Sequence, residues 1–270
     1  MCLLIVMFRV VPDAPVIVAA NRDERLDRPA IPITVLRDTA PRILGGRDLL
    51  AGGTWLAVNE RGVVAGLTNQ PSANGRDPTK RTRGELPLAC AGHDTAAEAV
   101  TALSVGIDPR SYNPCWMLVG DREALFSVGL SGGTKPEVEQ LPPGLHVLEN
   151  APLRAASAKT AFVTELVTRA LAAQPDRSVA GSVAALRDVL RDHRPAVPEP
   201  RTDAAGRTWP ASLTAACVHA DGYGTRSSMI VTVPSVGLPT VLTADGWPCE
   251  TPMRDATGLW TTGAVAEPAT

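Results

Sequence analysis

The order in which apolar segments follow one another along this chain constrains its fold more than any single residue does. β-Branched and apolar runs at residues 3–10 and 16–20 are separated by Pro12-Asp13-Ala14-Pro15, a turn signal. Runs at 54–58 and 63–67 flank Asn59-Glu60-Arg61-Gly62, a second hairpin. A polar stretch over 70–83 reads as a surface loop. Helical spacing follows over 85–93 and 95–103, with Asp94 or Thr95 as the N-cap. Strands at 116–119 and 124–128 join through Gly120-Asp121-Arg122, and a third covers 145–148. Helical apolar spacing returns over 155–173 and 180–192, as in Phe162, Leu166, Ala170 and Val183, Leu186, Leu190. After a Pro-rich connector at 195–200 come closing β-segments at 213–218, 228–233 and 239–243. Strand runs alternating with helix pairs predict an α+β fold with two antiparallel sheets in layers. No internal repeat or linker-like segment interrupts the pattern. One domain over residues 1–263 is expected, with 264–270 a frayed tail.

Composition narrows the function classes. Hydrophobic residues make up 44% of the chain, enough for a packed core, and 20% are charged, as on an ordinary soluble surface. A net charge of −2, from 26 basic against 28 acidic residues, gives no basic patch for nucleic acid or acidic membranes. With only 4% aromatics, a stacking platform for single strands is not expected either. The apolar N-terminal run is short, lacks a basic leader and meets Arg9 and Asp13 at once, unlike a signal peptide. Nothing approaches the ~20 apolar residues of a membrane-spanning helix. Five cysteines at 2, 90, 115, 217 and 249, widely spaced and without a C-x-x-C pair, argue against a disulfide framework and fit a reducing cytoplasm. Cys217 and His219 share a strand face, but two ligands fall short of a zinc site, so neither metal nor cofactor is expected. No G-x-S-x-G elbow accompanies the four histidines.

Cys2 directly follows Met1. It is open to two readings: a small buried residue at the start of a strand, or a nucleophile. Methionine aminopeptidases remove an initiator Met before a small side chain, and that would place a thiol and a free α-amine on one residue. An α-amine with a pKa of ~7.7–8.0 is partly unprotonated near neutrality and can take the thiol's proton. The second strand leads into Asn21-Arg22-Asp23-Glu24, then Arg25, Asp27 and Arg28. A solvated hairpin exit would look the same. An antiparallel return, however, brings this run back beside Cys2, where a guanidinium favours thiolate and a carboxylate can orient the amine.

Cys2 followed by Asn21-Arg22-Asp23-Glu24 resembles the NRDE family, whose relatives include the transport and Golgi organisation proteins. Gly52-Gly53-Thr54-Trp55-Leu56 with residues 62–69, then Arg83-Gly84-Glu85-Leu86, then Tyr223-Gly224-Thr225-Arg226-Ser227-Ser228, match its further blocks in order. That family in turn resembles the cysteine N-terminal-nucleophile hydrolases, such as penicillin V acylases and conjugated bile acid hydrolases. The resemblance implies a four-layer αββα sandwich. It places Cys2 as nucleophile, with Arg22 and Asp23 on the motif after strand two, although Glu24 is an alternative for the aspartate. Asn69 and Asn150 take the positions of oxyanion donors, and Arg226 that of a late arginine near the nucleophile. Asn21, Trp55 and Thr68 are the implied substrate contacts. Glu149, just before Asn150, departs from the acylase pattern and adds negative charge. The implied activity is attack on a small-molecule acyl amide or thioester. The alternative is a non-catalytic carrier of haem, acyl-lipid or acyl-CoA.

Overall fold

The N-terminal hairpin forms as expected and organises everything else. Its strands β1 (Cys2–Val11) and β2 (Ala14–Arg25) pair antiparallel from Cys2↔Arg22 to Val11↔Ala14. The structure is a computed structural model and describes residues 2–71, 75–174, 178–202 and 208–262. The expected tail at 264–270 lies outside the described residues.

After the hairpin come β3 (Ala30–Arg37), β4 (Ile43–Asp48), β5 (Leu56–Asn59) and β6 (Val64–Asn69), then helices α1 (Glu85–Cys90) and α2 (Ala96–Gly106). Strands β7 (Cys115–Gly120), β8 (Leu125–Leu130), β9 (Glu137–Gln140) and β10 (Gly144–Leu148) follow, then helices α3 (Ala158–Ala172) and α4 (Val179–Leu190). A short ribbon of β11 (Arg201–Thr202) and β12 (Thr208–Trp209) leads into β13 (His219–Ala220), β14 (Tyr223–Val233), β15 (Thr240–Asp245) and β16 (Arg254–Asp255). One sheet runs in the order β10-β1-β2-β14-β15-β16, with β13 on β14; the other runs from β3 to β9 in sequence order.

Period-two alternation makes four layers out of these strands. Leu4, Val6 and Phe8 of β1, with Val16, Val18 and Ala20 of β2, face Leu44, Leu56, Val58, Val64 and Leu118 between the sheets. The intervening Leu3, Ile5, Met7, Ile17 and Ala19 pack on Val163 and Val167 of α3 and Leu186, Val189 and Leu190 of α4. On the far side, Ala65, Leu67, Met117, Val119 and Val128 carry Leu86 of α1 and Ala99, Val100 and Leu103 of α2. The layers are helices, sheet, sheet, helices. Strands buried on both faces lose the polar alternation of a half-exposed strand, which explains the unbroken apolar run after Cys2.

One expected strand is absent, and three strands, β3, β4 and β9, form where no pattern announces them. Residues 213–218 do not form a strand: a 3₁₀ turn covers Ala211–Thr214, and Ala215, Ala216 and Cys217 follow as a buried bend. The first strand pair after the hairpin, β3 and β4, was not marked by pattern, because Pro32, Gly45 and Gly46 interrupt it. Strand β9, with one or two polar residues on each side of Val138, carries no apolar periodicity. Thr95 is confirmed as the cap of α2, accepting from the Glu98 N–H.

Candidate active site

Because Cys2 stands opposite Arg22, the β1–β2 register fixes which residues surround the thiol. By alternation Arg22 points between the sheets, on the same side as Cys2, whereas Asn21 and Asp23 point toward the helix layer. Both sides of this sheet end are charged and closed off: Arg22, Asp23 and Cys2 are all buried.

Arg22 lies with its guanidinium carbon 4.7 Å above the Trp55 ring, and its Nη2 donates to Asp48 Oδ2 at 3.1 Å. Asp48 is the hub of this side. It also accepts from Arg28 Nε at 2.7 Å and from the backbone N–H groups of Leu50 and Ala51. Burial works against ionisation of Asp48, but the hydrogen bonds from Arg28 and the Ala51 N–H prevail and hold its pKa low. Trp55 fits here because residue 46 has no side chain: a Cβ on Gly46 would lie 1.8 Å from the indole.

On the helix side, Asp23 Oδ1 accepts from the Thr225 hydroxyl at 2.6 Å, and its Oδ2 lies 3.6 Å from Lys159 Nζ. Lys159 is only 3% exposed. Burial dominates Asp23 and raises its pKa, against the pull of Lys159. Burial likewise raises the Cys2 pKa. Asp23 adds to the rise, while nearby positive charge, Arg22 included, and the Asp23 backbone N–H work against it. The thiol therefore needs a base to become a nucleophile.

The asparagines are brought together at the facing ends of β6 and β10. Asn69 closes β6, and its backbone carbonyl accepts from Asn150 Nδ2. Thr68 fastens the same junction, its hydroxyl donating to the Glu149 carbonyl at 2.6 Å. The Glu149 carboxylate accepts from Ser157, the N-cap of α3, and so faces a helix start. Negative charge is favourable there.

Two of the expected site residues stand elsewhere. Asn21 does not reach toward a substrate: its Nδ2 donates to the Leu190 and Ala216 carbonyls and its Oδ1 accepts from Ser228, which consumes the amide as a bracket under α4. Arg226 sits in the bulge between Thr225 and Ser227 on β14, and its Nη1 donates to the carbonyls of Arg25, Leu26 and Arg28. Those three bonds hold the turn that carries Arg28. Glu24 is engaged with Arg28 at 3.8 Å and is more exposed than Asp23.

Lys159 and Asp48 belong to this cluster although no motif marks them in the sequence, while Arg28 and Arg83 are visible there only within a charged run and a family block. Arg83 donates to the Pro114 carbonyl at 3.1 Å, and burial lowers its pKa from the ordinary guanidinium value. For Lys159 there was a signal: it occupies the second position of α3, where a cation opposes the helix dipole. A lysine placed there needs an anion, and Asp23 is that anion. A hollow of about 340 Å³ lined by Arg9, Pro12, Arg122 and Ser235 lies at the other end of β1, roughly 30 Å from Cys2 at strand rise. It is no part of this site.

Comparison with known proteins agrees with this architecture. The model of the family Transport and Golgi organisation 2 matches residues 1–242. The Transport and Golgi organization protein 2 homolog of Bos taurus is 31% identical over 236 residues, covering 82% of this chain and 83% of the relative. The Homo sapiens homolog is 30% identical over the same spans. Among solved structures, a variant of the conjugated bile acid hydrolase from Clostridium perfringens superposes with a TM-score of 0.53, covering 94% of this chain and 92% of its own at 10% identity. Identity that low speaks for the fold alone. The chain thus belongs to the Transport and Golgi organisation 2 family and has the αββα fold of the N-terminal-nucleophile hydrolases.

Proposed function

We propose that this protein is an N-terminal-nucleophile cysteine amidohydrolase or acyltransferase that uses Cys2 after Met1 has been removed. The observation that carries this reading is a buried set of charges at one sheet end: Arg22 beside Cys2 in register, and Asp23 paired with Lys159 behind it. Buried charges of this kind cost stability, and replacing them with apolar side chains is often neutral or favourable for folding. Their concentration around one thiol fits chemistry better than it fits packing.

In the proposed reaction the Cys2 α-amine takes the thiol proton and Asp23 holds that amine in place. The thiolate attacks the carbonyl carbon of an acyl amide or thioester, and negative charge builds on the carbonyl oxygen. Amide donors from Asn69 and Asn150 and the fixed charge of Arg22 stabilise that oxygen; one such donor contributes ~2.7–4 kcal/mol. The amine or thiol leaves with the proton from the α-amine. Water or an acceptor amine then cleaves the acyl-Cys2 thioester. Arg226 keeps its part at a distance, by holding the turn that presents Arg28 to Asp48.

The test is turnover of a panel of chromogenic acyl amides and acyl thioesters by the mature protein and by Cys2→Ala. Turnover that disappears in Cys2→Ala supports the reading. Equal activity in the two sinks it, and stoichiometric ligand retention without turnover moves the protein to the carrier class.

A further inference from the structure

The two-ligand motif at Cys217 and His219 acquires partners in the fold. Cys249, from the turn after β15, places its Sγ 3.8 Å from Cys217 Sγ and 3.1 Å from His219 Nε2. Cys217 Sγ is 3.5 Å from the same nitrogen. His193, just beyond α4, presents a ring nitrogen within 4.8 Å of the donor atoms of His219 and Cys249. We propose that Cys217, His219, Cys249 and His193 form a structural zinc site.

The spacing among Cys217, His219 and Cys249 is that of one face of a coordination tetrahedron. Zn–S bonds of ~2.3 Å and Zn–N bonds of ~2.0–2.1 Å set its edges at about 3.8 Å between sulfurs and about 3.5 Å between sulfur and nitrogen. The Cys217–Cys249 and Cys217–His219 distances match these, and the His219–Cys249 distance is a few tenths shorter. Two thiolates and two imidazoles are a donor set that selects zinc over the oxygen-seeking cations. The ring of His219 is already fixed, stacked on Trp247 with centroids 4.6 Å apart. Only glycine fits at 224 beside this stack, since a Cβ there would meet the Val218 carbonyl at 2.6 Å and Trp247 Nε1 at 2.9 Å. His193 is exposed and stands edge-on to His219, ring centroids 5.9 Å apart, on the side where the fourth corner would lie.

The site would join three segments distant in sequence: the end of α4, the buried bend before β13, and the turn after β15. The same bend supports the charged cluster. The Ala216 carbonyl holds Asn21, and the Val218 N–H donates to Thr225 Oγ1, whose hydroxyl donates to Asp23. Zinc here would position Asp23 without touching substrate.

The test is metal content by mass spectrometry of protein purified under reducing conditions without chelator, with cobalt(II) substitution read by absorption. The expected result is one zinc per chain after desalting and cobalt spectra with thiolate charge-transfer and tetrahedral ligand-field bands. Cys249→Ser and His219→Asn should lose both. His193→Asn, at an exposed position, should weaken zinc retention by about tenfold or more with the fold intact. Cys90→Ser, in another core layer, should retain full occupancy. Wild-type protein that holds no zinc and gives no cobalt–thiolate band, or a Cys217–Cys249 disulfide in peptides from freshly reduced protein, would overturn the proposal.

Discussion

Replacing Lys159 by Met tests the electrostatics of the charged cluster. The lysine ammonium lies 3.6 Å from an Asp23 carboxylate that is itself fully buried. At an effective dielectric of ~20, that attraction is about 4–5 kcal/mol. Removing one partner of a buried pair commonly costs ~3–5 kcal/mol. An upper limit applies, because Asp23 can take up a proton instead. Protonating a carboxyl with an ordinary pKa of ~3.9 at pH 7 costs about 4 kcal/mol, and at pH 5 only about 1.5 kcal/mol. The sign follows from linkage. Burial already raises the folded-state pKa of Asp23, and losing Lys159 raises it further. Stability linked to this group is full below the unfolded pKa and declines as pH rises through the folded one. Lys159→Met should therefore destabilise by about 3–4 kcal/mol at pH 7 and by about 1–2 kcal/mol at pH 5. Adding Asp23→Asn should recover most of the loss. Urea unfolding of the two variants and the parent at both pH values measures this. A loss under about 1 kcal/mol at pH 7, or one independent of pH, would refute the reasoning.

Other variants separate positioning from chemistry. Asp48→Asn removes the anion shared by Arg22 and Arg28, and unfolding should show a loss of about 2–4 kcal/mol at pH 7. Because Asp48 is held low, its contribution is present above the unfolded carboxylate range and vanishes as pH falls through the folded pKa, so parent and variant should converge in acid. Gly46→Ala drives a methyl into Trp55 and should cost ~1–3 kcal/mol while lifting the indole from beneath Arg22, seen as a shift in tryptophan fluorescence. Arg226→Ala should lower the melting temperature by freeing the 25–28 turn but leave the pH profile of turnover unchanged. Asn150→Ala should reduce kcat by ~10²–10³.

Much of this architecture was legible because its signals are local. The hairpin at the N-terminus, the Thr95 cap and the two helix pairs each announce themselves within a few residues, and β1 paired with β2 puts Arg22 opposite Cys2. Residue contacts across layers were not legible. Asn21 and Arg226 look like site residues in a motif, yet a strand face and a bulge turn them to other duties. Lys159 meets Asp23 across 136 positions of chain, visible beforehand only as a cation in the wrong turn of a helix. Cys249 likewise joins Cys217 and His219 only because β15 returns antiparallel to β14.

Trapping the acyl-enzyme tests the role of Cys2 most directly. The mature protein is mixed with an activated acyl thioester, quenched in acid within the first turnover and digested for peptide mass analysis. The proposed chemistry predicts an N-terminal peptide that begins at Cys2 and carries the acyl group, labile to hydroxylamine. An N-terminal peptide that retains Met1, or acyl label confined to other residues, would contradict it.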